Sequence, residues 1–205
     1  MIIFEDFNMQ EKVLHLFNDN VGFLKASDIF AAGVTIRQIQ RMVENGEILR
    51  IKRGYYQYAG VDEPNEAAMI AKLFPEAVIC MDTALFCYGY SDRTPLEWHL
   101  TVSREISKSR FKLSYPAVKP YYIDDKYLDI GITALEIGGQ KIKIYDRERV
   151  ICDCLKHKNK IDREMFNKAV QAYLNDSKKN IKNLASYAKQ LRVYKKAQDL
   201  IGVWL

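Results

Sequence analysis

A chain of 205 residues, 48% of them hydrophobic, has room for two ordinary domains that each bury a core. Its net charge of +5 is too small for a chain coated in cations, and no apolar run approaches the roughly 18 to 20 residues of a membrane-spanning helix. Residues 1–10 are acidic where a signal peptide is basic. Cys80, Cys87, Cys152 and Cys154 form no disulfide-like framework, so the expectation is a cytoplasmic protein with reduced, mostly buried thiols.

In chain order, residues 9–20 read as a helix presenting Met9, Val13, Leu16 and Phe17. Residues 26–32 form a second helix with Ser27 or Asp28 near its start, and Gly33 stands where helices end in a left-handed residue. Thr35 then caps a third helix. On its wheel Ile36, Ile39, Met42 and Val43 make one apolar face, with Arg37, Gln38, Gln40, Arg41 and Glu44 on the other. Docking the apolar face on the preceding helices leaves the polar face outward. Asn45-Gly46 ends the helix. Two β-prone runs, 48–51 and 55–58, flank Lys52-Arg53-Gly54, which reads as a hairpin with Gly54 supplying positive φ.

This order of parts is the outline of a winged helix-turn-helix on duplex DNA. Arg37 and Arg41 have the reach for guanine edges or phosphates, and the amides of Gln38 and Gln40 suit adenine. Lys52, Arg53, Gly54 and Tyr55 form a wing against the backbone or the minor groove. A solvated face accounts for either arginine alone; the ordered constellation carries the DNA reading. Charge agrees locally. Residues 23–58 hold six basic and three acidic side chains, although residues 1–62 as a whole hold 7 and 8, and the remainder 24 and 18.

Residues 60–65, with Pro64, read as the linker, giving domains 1–62 and 63–205. A helix at 66–74 is compatible with either. Beyond it come a strand at 77–80, a short helix at 83–88 ended by Gly89, and a strand at 98–103 whose Trp98, Leu100 and Val102 alternate with His99, Thr101 and Ser103. Segments 132–137 and 140–145 flank Gly138-Gly139 as a hairpin. Helices follow at 147–156, 163–174, 181–191 and 193–204. The expected fold is therefore a two-domain chain, an N-terminal winged helix-turn-helix followed by an α+β domain with a C-terminal helical part.

Catalytic and metal chemistry find little support. Cys152, Cys154 and His157 cannot converge on one ion, because positions i and i+2 of a helix point about 200° apart. His15, His99 and His157 lie in no nucleophile motif, and no glycine-rich phosphate loop follows a strand. A nuclease site needs Glu-x-Lys on a hairpin strand, whereas Glu136 and Lys141 straddle the glycine pair and Glu136-Ile137-Gly138 lacks the lysine. No cofactor is implied. Between residues 177 and 198 lie seven basic side chains and no acid. Lys178, Lys182 and Lys189 follow helical spacing opposite Ile181, Leu184, Ala188 and Leu191, a candidate nucleic-acid stripe or a solvated face.

Several strings in this order resemble the AbiEi family of antitoxins from abortive-infection, type IV toxin–antitoxin systems. Arg53-Gly54-Tyr55-Tyr56 is similar to the family's wing string, and Ala84-Leu85 leading to Tyr88-Gly89 to its short helix after the first strand of the second domain. Pro95 and the strand 98–102 follow in the same order. The run Asp146-Arg147-Glu148-Arg149-Val150-Ile151-Cys152-Asp153 resembles a Ser-Pro-Glu-Arg-Thr-Leu-Leu-Asp string, departing from it at the helix start and at Val150. Arg149 and Asp153, one turn apart, read as a weak surface pair, as a clamp of helix on sheet, or as part of an antitoxin surface.

The resemblance implies a transcriptional autorepressor that binds inverted repeats in double-stranded DNA at its own promoter. It also implies an antitoxin against a nucleotidyltransferase-type toxin encoded in the same operon, acting without a tight complex. Gly-Ser followed by spaced aspartates, the mark of such a toxin, is missing from this chain. A solitary transcriptional regulator and a DNA-tethered enzyme acting on nucleic acid remain the alternatives.

Overall fold

The computed structural model describes residues 2–201, and the side chains of 11–200. The chain divides into two compact units, residues 1–73 with 113–116, and residues 74–112 with 117–205.

In the first unit, α1 (Ile2–Asp19) leads to a short strand β1 (Phe23–Lys25), α2 (Ala26–Ala31), α3 (Ile36–Glu44), the hairpin β2 (Ile48–Lys52) and β3 (Tyr55–Tyr58), and α4 (Glu66–Leu73). The first helix starts well before residue 9, and the side chain of Met9 lies outside the described residues. Val13 and Phe17 of α1 join Leu24, Ile29, Val34, Ile39, Met42 and Ile48 in one buried cluster, with Leu16, Val43, Tyr56 and Tyr58 packed on it. The strand β1 was not legible in the sequence. Three residues are too few for an alternation, and the strand exists because β3 pairs with it on one side and with β2 on the other, Phe23 opposite Gln57 and Lys25 opposite Tyr55.

The helix α4 belongs with this unit. Lys72 Nζ donates to Phe23 O at 2.8 Å and to Asn20 Oδ1 at 3.1 Å, and burial of the ammonium lowers its pKa.

The second unit is built on a mixed five-stranded sheet, order β6-β5-β4-β8-β7. Its elements are β4 (Val78–Ile79), α5 (Met81–Cys87), β5 (Trp98–Ser103), β6 (Val118–Ile123), β7 (Ile132–Ile137), β8 (Gln140–Tyr145), α6 (Arg147–Lys156), α7 (Arg163–Asn175), α8 (Ile181–Gln190) and α9 (Tyr194–Ile201). Pairing is antiparallel for β4–β5 and β7–β8 but parallel for β4–β8 and β5–β6. The strand β6 was not anticipated, because Pro120 interrupts Val118–Ile123 and cannot donate to a ladder. It is an edge strand, where that loss is tolerated. On β5 the alternation did not mark a solvent face, since His99 and Thr101 are buried as fully as Leu100 and Val102. The last expected helix, 193–204, is described only to Ile201.

Helix α7 ends against a polar cluster. Asp176 accepts hydrogen bonds from Lys178 N, Tyr90 Oη and Arg147 Nε at 2.7 to 2.8 Å, and the guanidinium of Arg147 sits 4.7 Å from the Tyr88 ring centre. The backbone N–H of Lys178, then the Tyr90 hydroxyl, hold the Asp176 pKa down at about 2. A depressed carboxylate contributes stability that is complete above its unfolded pKa of about 4 and is lost as pH falls through about 2. Asp176→Asn is therefore expected to lower stability at pH 7 and to flatten the acid limb between those values, read from urea midpoints against pH. A variant curve parallel to the wild-type one throughout would remove Asp176 from this role.

Candidate nucleic-acid interface

The turn between α2 and α3 is held from both sides. Gly33 has φ +88°, and Lys12 Nζ of α1 donates to the carbonyl of Ala32 at 2.9 Å, satisfying a helix-end acceptor. Thr35 then starts α3 with a capping box: its Oγ1 accepts from Gln38 N at 3.3 Å, and Gln38 Oε1 accepts from Thr35 N at 2.8 Å and from Thr35 Oγ1 at 2.8 Å. The amide oxygen of Gln38 is thus engaged by the helix's own start. Gln38 is half-buried in this role, whereas Gln40 is exposed.

The polar face of α3 is outward, as its wheel requires. Arg37, Gln40, Arg41 and Glu44 are exposed, whereas Ile39 and Met42 are buried and Val43 is half-buried. Ile36 departs from the expected apolar face. It is 60% exposed, because as the first residue of α3 it stands ahead of the first turn that packs on α1 and α2. An apolar side chain therefore lies beside Arg37 at the leading end of the helix.

In the hairpin, Lys52 is the last residue of β2 and pairs with Tyr55, which shortens the expected three-residue tip to Arg53-Gly54. Gly54 has φ +79°, a conformation that costs an L-residue a Cβ clash. Arg53 is exposed at this tip, and Tyr55 stacks on Phe23 with ring centres 5.9 Å apart. A register shift between Arg50 and Lys52 bends the strand. Arg50, exposed on β2, is a further cation of this surface that the sequence reading passed over. Its position within the β-prone run 48–51, beside the basic tip, was the available signal.

Residues 11–59 match the family described as transcriptional regulator, AbiEi antitoxin. The matched segment runs from α1 through β3 and takes in the helical turn, α3 and the hairpin together. No curated protein matches the chain.

Outside the matched segment lie the residues of the second unit that the sequence offered as a surface. Arg149 is 1% exposed and Asp153 is 8% exposed, so neither is a surface residue. The Arg149 Nε donates to both carboxylate oxygens of Asp153 at 3.1 and 3.2 Å, Nη1 donates to the carbonyls of Tyr127 and Ile130 at 2.7 and 2.8 Å, and the guanidinium lies 4.1 Å from the Tyr145 ring centre. The pair is a clamp joining α6 to β8 and the 127–130 segment. The neighbouring residues share the task. Asp146, standing where the family-like string has Ser, caps α6 by accepting from Arg149 N at 2.9 Å, and Glu148 accepts from Asn180 N and Tyr173 Oη. Gly131 completes the joint with φ +77°, where a Cβ would fall 2.7 Å from Arg149 Cβ.

Lys182 and Lys189 are exposed on α8, with Lys189 Nζ 5.0 Å from the Tyr194 ring centre. Lys178 is exposed but precedes α8, whose cap is Asn180, accepting from Asn183 N at 3.1 Å. The three lysines therefore do not form one helical stripe. Glu136 and Lys141 face each other across the β7–β8 hairpin as an exposed cross-strand pair. Among the described residues no three His, Cys, Asp or Glu side chains are placed to hold a metal ion, and no helix is long and apolar enough to cross a membrane.

Proposed function

We propose that the protein is a DNA-binding transcriptional autorepressor and the antitoxin of a type IV, abortive-infection toxin–antitoxin pair, counteracting a nucleotidyltransferase-type toxin encoded beside it. One observation carries the DNA half: within the matched segment, a capped helix turns Arg37, Gln40 and Arg41 outward directly before a hairpin tipped by Arg53. The N-terminal residues of α3 enter a major groove and read bases. The wing positions the protein on the phosphate backbone. Inverted repeats at its own promoter are the operator in this reading, and the second unit carries toxin neutralisation without a tight complex. Action in the cytoplasm and absence of catalysis belong to the same reading.

The wing is tested by salt. Arg53→Ala and Lys52→Ala are expected to weaken binding alike on operator and unrelated duplexes, each reducing the slope of log K against log salt by about one. Fluorescence anisotropy over a salt series measures this. Slopes identical to wild type in both variants would place the hairpin off the DNA.

The two halves separate in one co-expression experiment with the adjacent gene, scoring promoter activity and growth. Arg37→Ala in the full chain should lose repression yet still protect growth. Loss of protection by that variant, at unchanged protein level, would place neutralisation in the DNA-binding domain instead.

A further inference from the structure

The second unit contains a cleft of about 520 Å³ between the edge of the sheet at β6 and the end of α6. That volume is in the range of small-molecule sites. Its cations are Arg104, Lys119, Lys156 and Lys160, against two acids, Asp82 and Asp124. Arg104 is held by Asp124 at 2.9 Å, whereas among the described residues the ammonium groups of Lys119 and Lys160 make no hydrogen bond or ion pair. Elsewhere in the unit some exposed cations do find carboxylates, as in Lys168–Asp92 at 2.7 Å and Arg93–Glu164 at 3.3 Å. Four cations against two acids leave the cleft net positive.

Its walls are aromatic. The Tyr121 ring lies between His99 and His157, with centres 5.4 and 6.0 Å away, and Tyr127 presents a ring that Lys156 approaches to 5.6 Å. Burial, and then the charges of Lys156, Lys160 and Lys196, lower the pKa of His157. Met81, buried and lining the same cleft, holds φ +45° at the β4–α5 junction, a conformation few non-glycine residues adopt. Backbone strain of this kind collects at ligand sites.

We infer that this cleft binds a nucleoside phosphate, with Lys119 and Lys160 on the phosphate and the Tyr121, Tyr127 and His157 rings beside the base. Lysine as a point charge and an aromatic wall are the two elements that a phosphate and a planar base each require. A free nucleotide and the phosphorylated end of an RNA strand share this chemistry.

Isothermal titration of the full-length protein tests it, with the four ribonucleoside triphosphates, inorganic phosphate, pyrophosphate and a 5′-phosphorylated RNA trinucleotide as probes. At least one nucleotide or the trinucleotide should bind saturably at one site per chain, more tightly than either inorganic anion. Lys119→Ala and Lys160→Ala, both at exposed positions and expected to fold as wild type by circular dichroism, should each weaken binding roughly tenfold. Lys168→Ala should not. Saturation by the nucleotides or by the trinucleotide alone distinguishes the source of the ligand. The inference is overturned by absence of saturable binding, by inorganic phosphate or pyrophosphate binding as tightly as any nucleotide, or by binding that survives both lysine substitutions. None of these outcomes involves operator DNA, so the DNA-binding reading stands or falls separately.

Discussion

Arg149→Met is expected to lose about 3 to 5 kcal/mol of stability, the cost of leaving the other half of a buried ion pair without its partner. The loss exceeds that of an exposed i,i+4 pair, worth a few tenths of a kcal/mol, because three separate acceptors depend on one guanidinium. Asp153 would keep a carboxylate in an interior that disfavours its charge, and the carbonyls of Tyr127 and Ile130 would lose their Arg149 donor. The double variant Arg149→Met, Asp153→Leu removes the stranded charge and should recover part of the loss. Chemical denaturation monitored by circular dichroism gives both values. A single variant within about 1 kcal/mol of wild type, the range of surface pairs, would show that this clamp is dispensable.

Arg37→Ala and Arg41→Ala should each lose about 1 to 3 kcal/mol of specific binding and relax base preference at one operator position, leaving binding to unrelated duplexes less affected. The exposed Ile36 sharpens the expectation. An apolar side chain at the leading end of a groove-reading helix suits a thymine methyl, and its 60% exposure leaves it free to make that contact. Replacing operator thymines one at a time by uracil should therefore cost about 0.8 kcal/mol at one position, the scale of one buried methyl-sized group. In Ile36→Ser that thymine-to-uracil difference should vanish. Competition binding on a panel of single-base operator variants reads all three side chains at once. A panel response unchanged in every variant would remove α3 as the reading helix.

The first domain was legible in the sequence because its signals are local. A glycine at a helix end, a threonine cap and a change from helical to β periodicity act through neighbouring residues, and the helix, turn and hairpin stand where they were expected. The wheel of α3 correctly separated Ile39 and Met42 from Arg37, Gln40 and Arg41. It failed for Ile36, since a wheel assigns a face but not the length of helix that neighbouring elements cover. Gln38 likewise looked available by type, while its engagement with Thr35 depends on the geometry of the first turn.

In the second unit the hairpin at Gly138-Gly139 and the order of helices followed from turn chemistry and periodicity alone. What only the tertiary structure decided is which partners meet. The edge position that accommodates Pro120 in β6, the parallel pairing of β4 with β8, and the burial of the Arg149–Asp153 pair all arise between residues far apart in the chain. A sequence records that Arg149 and Asp153 share a helix face; whether that face meets water or a sheet depends on long-range packing, and burial converts a marginal surface pair into a structural joint.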